Sequence, residues 1–94
     1  MNLEIGYSKK ADKFLENKNA KAITEKEVDT LIISAIKKIF KIENPNIDLK
    51  KLKGKLKGCF RIKKGDIRII FTLKRNKILK ILVNDIDFRG NIYK

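Results

Sequence analysis

The sequence predicts an α+β fold: a strand and a helical hairpin, then a three-stranded antiparallel β-meander, with both helices on one face of the sheet. Three observations carry that reading. Apolar residues alternate over Leu3–Tyr7, recur at helical spacing from Val28 to Phe40, and return to alternation beyond Pro45. The length of 94 residues suits one domain, spanning 1–94, with a single modest core.

Leu3, Ile5 and Tyr7 alternate with polar residues, as in a short half-buried strand. Ser8 then caps a predicted helix over Lys9–Asn17, with Ala11, Phe14 and Leu15 on its inner face. The polar stretch Asn17–Ala22 reads as a turn. Thr24 and Glu27 match a capping box, in which each side chain satisfies a free backbone donor of the other residue. Behind it Val28, Leu31, Ile32, Ala35, Ile36, Ile39 and Phe40 form an apolar stripe. That helix is expected to stop near Ile42, because the residue before Pro45 is pushed out of the α region. Asp48–Gly58 reads as a basic connection punctuated by two glycines. Cys59–Lys63, Ile67–Leu73 and Lys77–Val83 read as the meander, separated by turns at Lys64-Gly65-Asp66 and Lys74–Asn76, with a tail from Asn84.

Charge is distributed unevenly over this plan. Residues 1–47 carry 9 Lys/Arg against 7 Asp/Glu, whereas residues 48–94 carry 15 against 4, so +11 of the +13 net charge lies in the second half. A field of that strength points to a polyanionic partner, through steering and counterion release. Five cations, Lys50, Lys51, Lys53, Lys55 and Lys57, fall in one octet. Interleaved with Leu49, Leu52 and Leu56, they fit either a short amphipathic helix that snorkels its charges or a phosphate-binding arm. The basic strands beside the octet, including Lys64 at the following turn, favour the arm.

Other features bound the chemistry. One cysteine, Cys59, cannot form an intramolecular disulfide, which points to a reducing, cytoplasmic setting. No apolar run is long enough to span a bilayer, so no membrane role is expected. Histidine is absent, which removes the commonest general base and the commonest metal ligand. Neither a metal nor another cofactor is expected.

Alternation sorts the strand residues by face. Phe60 and Ile62 share one side and leave Arg61 and Lys63 on the other; Ile67, Ile69, Phe71 and Leu73 leave Arg68, Ile70 and Thr72 opposite. With the apolar sides under the helices, Arg61, Lys63 and Arg68 converge on the open face. Such residues are either the solvated outer row of a one-sided sheet or a cluster whose mutual repulsion a phosphate relieves.

Three segments then carry a family resemblance: Leu52-Lys53-Gly54, Gly58-Cys59-Phe60-Arg61-Ile62-Lys63, and Gly65-Asp66-Ile67-Arg68-Ile69-Ile70-Phe71. Together they resemble the signature of the RelE/ParE toxin superfamily. The ending Arg89-Gly90-Asn91-Ile92-Tyr93 resembles its arginine and near-terminal tyrosine. The likeness is specific over Leu49–Lys94 and architectural before it. It implies a RelE-like fold and a toxin of a type II toxin–antitoxin pair. For the RelE branch it implies a ribosome-dependent mRNA endoribonuclease that transfers the RNA 2′-hydroxyl onto the adjacent phosphate without metal. Carried over by position, Arg61, Lys63, Arg68, Arg89 and Tyr93 are the implied catalytic residues. Arg68 would stabilise the phosphorane, and Lys63 is the candidate for proton transfer. Tyr93 would stack on a base, act as the base, or simply close the edge of the core. Lys50, Lys51, Lys53, Lys55, Lys57 and Lys64 would bind RNA.

Two positions depart from the family pattern. Phe88 replaces a histidine common among members, and Asp87 puts an acid where some carry a further arginine. The ParE branch, which shares the fold and inhibits DNA gyrase by protein contacts, is the alternative; a non-catalytic basic RNA-binding module is another. The implied partners are mRNA in the ribosomal A site and a cognate antitoxin, acidic or amphipathic, in a toxin–antitoxin hetero-oligomer.

Overall fold

The computed structural model describes residues 2–17 and 23–88. Its helices are α1 (Lys9–Glu16) and α2 (Glu25–Ile39). Its strands are β1 (Leu3–Tyr7), β2 (Asp48–Lys51), β3 (Cys59–Lys64), β4 (Ile67–Arg75) and β5 (Leu79–Phe88), with a 3-10 turn at Gly54–Leu56. They form one five-stranded sheet in the order β1-β5-β4-β3-β2. The pairs from β2 to β5 are antiparallel, and β1 runs parallel to β5. The α+β plan is the predicted one, with a fourth antiparallel strand added to the meander.

Both predicted caps form. The Ser8 hydroxyl accepts from the Ala11 amide at 3.1 Å, and Thr24 and Glu27 make a complete capping box. The buried stripe of α2 is Val28, Ile32, Ala35 and Ile36. It packs with Ala11 and Ile23 against Ile62, Ile67, Ile69, Phe71, Leu79, Ile81, Val83 and Ile86 from one side of the sheet. Burial of these large side chains, each contributing roughly 1.5–3 kcal/mol, fixes which side of every strand turns inward. Phe60 stacks on Phe71 with ring centroids 5.4 Å apart, and Phe14 meets Phe88 edge-on at 5.5 Å.

Three boundaries differ from the expected ones. First, α2 stops at Ile39, well short of Pro45, because Lys41 takes a left-handed conformation, φ 58°. The Ile42 amide then donates to the Lys37 carbonyl at 2.9 Å and the Lys41 amide to that of Lys38 at 3.2 Å. This is a Schellman closure with lysine where glycine usually marks the stop, so the sequence carried no signal for it. Second, the expected basic connection contains β2, whose half-buried Leu49 pairs with Ile62 and so overrides the helical alternative. Third, the segment read as a tail from Asn84 continues β5 to Phe88. A bulge conceals it. Val83 faces Phe71 while Asp85 faces Ile70, leaving Asn84 as the extra residue. The inward positions therefore shift from Leu79, Ile81 and Val83 to Ile86 and Phe88, and simple alternation fails across that point.

Candidate nucleic-acid interface

The side of the sheet away from the helices is built from cross-strand rows. One row runs Asp48, Lys63, Arg68, Asp87 from β2 to β5, each residue directly opposite the next. The neighbouring row runs Lys50, Arg61, Ile70, Asp85. The expected convergence of Arg61, Lys63 and Arg68 on one face therefore holds at the level of register. The pairing adds an acid at the end of each row, which alternation within single strands cannot reveal.

Each cation has its own environment. Arg61 Nη2 lies 2.7 Å from Asp48 Oδ1; the arginine side chain is 16% exposed and the aspartate 54%. Arg61 Nε is buried without a hydrogen-bond partner. Arg68 is only 5% exposed, and its Nη1 donates to the Gly65 carbonyl at 3.1 Å, bracing the β3–β4 turn. Gly65 takes φ +58° there, as the first residue of a two-residue hairpin requires. Lys63 is exposed between these two arginines. Asp87 caps its own strand end by accepting from the Phe88 amide at 2.7 Å. Asp85 is buried; its Oδ2 meets Lys10 Nζ at 3.1 Å, while Oδ1 has no partner.

The remaining basic residues divide. Lys50 stands beside Arg61 on the open face, and Lys51 alternates to the other side of β2. Lys53, Lys55 and Lys57 lie on the loop around the 3-10 turn, and all five lysines of the octet are exposed. A depression of about 410 Å³ there is lined by Lys51, Leu52, Lys53, Gly54 and Lys57. Lys64, expected to join the nucleic-acid surface, instead turns to the helix side, its Nζ 3.1 Å from Glu27 Oε2. Strand alternation sends it there, opposite in phase to Lys63. Arg89 and Tyr93 lie outside the described residues.

Two groups on the helix side of the sheet are shifted by their packing. The Lys64 ammonium, then the Thr24 hydroxyl, holds the Glu27 carboxyl below its usual range. Burial pushes the Tyr7 phenol well above its ordinary value, reinforced by its hydrogen bond to the Asp29 carboxylate. Both contacts tie the N-terminal turn of α2 to the sheet.

Sequence reasoning did not single out Asp48 or Asp85. The alternation Ile47-Asp48-Leu49-Lys50 is a signal for β2 that would have placed Asp48; the bulge hides Asp85. Among the described residues no cluster of Cys, Asp or Glu is arranged to hold a metal ion, and no helix is long and apolar enough to cross a membrane.

No protein-family model matches the chain, and no curated protein does. Solved structures do. The fold is that of RelE-like toxins. It is shared with a chain of the DinJ–YafQ toxin–antitoxin complex of E. coli at a TM-score of 0.68 and 16% identity, covering 100% of both chains. The YoeB–YefM toxin–antitoxin complex of Staphylococcus aureus gives 0.62 and 21%, covering 95% of this chain and 99% of that one. The RelB–RelE antitoxin–toxin complex of Methanococcus jannaschii gives 0.55 and 19%, covering 94% of each.

Proposed function

We propose that this protein is the toxin of a toxin–antitoxin pair and acts as a metal-independent mRNA endoribonuclease on the ribosome. The observation that carries the reading is the placement of Arg61, Lys63 and Arg68 on adjacent strands of the sheet face turned away from the core, Lys63 exposed and the two arginines largely packed beside it, within a fold shared with toxins. Rigid strands hold these cations near one another before any ligand arrives, which suits stabilisation of charge developing on a phosphate.

The chemistry is a transesterification. The 2′-oxygen loses its proton and bonds to the adjacent phosphorus; the bond from phosphorus to the 5′-oxygen breaks, and that oxygen takes up a proton. A 2′,3′-cyclic phosphate and a free 5′-hydroxyl result. Arg61 and Arg68 would neutralise the phosphorane oxygens, and Lys63 would carry a proton transfer. Arg89 and Tyr93 complete the set that the family resemblance implies. The lysines of β2 and its loop would hold flanking phosphates with little sequence preference. An acidic antitoxin would neutralise the same half of the chain, and the protein would act in the cytoplasm.

Primer extension on ribosome-bound message after induction tests the proposal. New ends at A-site codons are expected, lost in Lys63→Ala while that variant retains its thermal unfolding midpoint. Intact message in growth-arrested cells would overturn it.

A further inference from the structure

The hairpin that joins β4 to β5 carries charge of its own, at the opposite end of the sheet from the β3–β4 turn. Residues 67–84 contain five Lys/Arg and no Asp/Glu. Arg68 and Arg75 both belong to β4, roughly 23 Å apart at the rise of an extended strand. Lys74, Arg75 and Lys77 are exposed, and among the described residues none of them makes an ion pair. Two acids lie toward this end. Glu4 stands opposite Lys80 on the open face, and Glu43, beyond α2, is held by Lys37 at 3.0 Å.

Arg75 continues the inward phase of Ile69, Phe71 and Leu73, which brings it to the helix side, at the end of α2. Its guanidinium carbon lies 4.6 Å from the centroid of the Phe40 ring. Phe40 is half-buried and Arg75 exposed, so the ring supports one face of the guanidinium plane and the other face is open. Beside the pair is a depression of about 360 Å³ lined by Asn2, Phe40, Arg75, Asn76, Lys77 and Leu79. That size falls within the roughly 300–1,000 Å³ of small-ligand pockets. The end of α2 offers an anion little repulsion here, because the Lys37 and Lys38 carbonyls already accept from the Ile42 and Lys41 amides. Covering Phe40 accounts for one face of Arg75; it accounts for neither Lys77 nor the depression.

We propose that Phe40, Arg75 and Lys77 form a second RNA-binding site, separate from the Arg61, Lys63 and Arg68 cluster, which takes one unpaired nucleotide. The base stacks on the open face of the Arg75 guanidinium, as the third layer above Phe40, and the phosphate meets Lys77. The nucleotide is unpaired because only a base out of its helix has a free face to stack. The Asn76 side-chain amide, at the rim, offers both a donor and an acceptor to the base edge. The choice of RNA rests on the reading above; the site itself follows from the hairpin.

Titration of the full-length protein, followed at its backbone amides by NMR, tests the site. Adenosine 5′-monophosphate should shift the amides of Arg75, Asn76 and Lys77 saturably. Ribose 5-phosphate, which has the same charge and no base, should bind there about tenfold more weakly. Arg75→Lys keeps the charge and loses the plane, so it should weaken the nucleotide about tenfold and leave the sugar phosphate unchanged. A 2′-O-methyl adenylate tetramer, which transesterification cannot cut, should bind there more tightly than the mononucleotide. Equal binding of nucleotide and sugar phosphate, shifts confined to the amides around Arg61 and Lys63, or tighter binding of the mononucleotide than of the tetramer would each overturn the proposal. None of these measurements involves cleavage, so failure of this site is distinguishable from failure of the proposed activity.

Discussion

Asp48 on β2 holds Arg61 on β3 through an ion pair of 2.7 Å. The aspartate occupies the same kind of position on the guanidinium that a phosphate oxygen would take, so acid and RNA compete for one cation. Asp48→Asn should therefore tighten binding of a single-stranded RNA oligonucleotide, by roughly threefold to tenfold. The pair is partly exposed, so stability should change by less than about 1 kcal/mol. Fluorescence anisotropy and urea unfolding check the two halves. Weaker RNA binding by the variant would show that Asp48 positions Arg61 and does not compete for it.

Lys63 and Lys64 are sequence neighbours on opposite sides of the sheet. Lys63→Ala is expected to abolish cleavage of ribosome-bound message, whereas Lys64→Ala should leave it intact. Equal loss of cleavage in both would remove the assignment of the open face as the site.

Glu27 gives Lys64 a pH signature. Its carboxyl titrates below the ordinary value of 4.5, with Lys64 as the largest cause. A depressed folded-state value means that the stabilisation is present above the unfolded-state value and is lost as pH falls through the folded one. The stability gap between the native chain and Lys64→Ala should therefore be open at neutral pH and close on acidification through that range. Urea midpoints across the range measure it. A gap that persists in acid would mean that Lys64 acts by packing.

Tyr7 carries the opposite sign. Burial and Asp29 keep its phenol protonated beyond the ordinary value of 10.0. The stabilisation is thus fully present below that value and is lost as pH rises through the folded-state one. Tyr7→Phe should flatten the alkaline limb of the stability profile. An unchanged limb in the variant would mean that other groups cause it.

Ser8 joins α1 to the bulge in β5: its hydroxyl accepts from the Ala11 amide and donates to the Asn84 carbonyl at 2.6 Å. Ser8→Ala removes both and should cost about 1–2 kcal/mol. Lys41→Gly should do the reverse, stabilising by roughly 0.5–1 kcal/mol, because glycine takes the left-handed conformation without strain. Chemical denaturation measures both, and a destabilised Lys41→Gly would show that the lysine side chain matters more than its backbone.

The sequence by itself determined the elements whose signals are local. Ser8 and the Thr24–Glu27 box begin the helices, the stripe from Val28 to Phe40 turns one helix face inward, and alternation sets Arg61, Lys63 and Arg68 apart from the apolar residues of β3 and β4. Those features depend on residues within a turn or two of each other. Tertiary structure decided the rest, because strand pairing joins residues far apart in the chain. Only register sets Asp48 beside Arg61, Asp87 across from Arg68, and Gly6 across from Leu82. Only the bulge at Asn84 turns Asp85 outward and Ile86 inward. The core of the domain could be read from periodicity; the balance of charge on its open face could not.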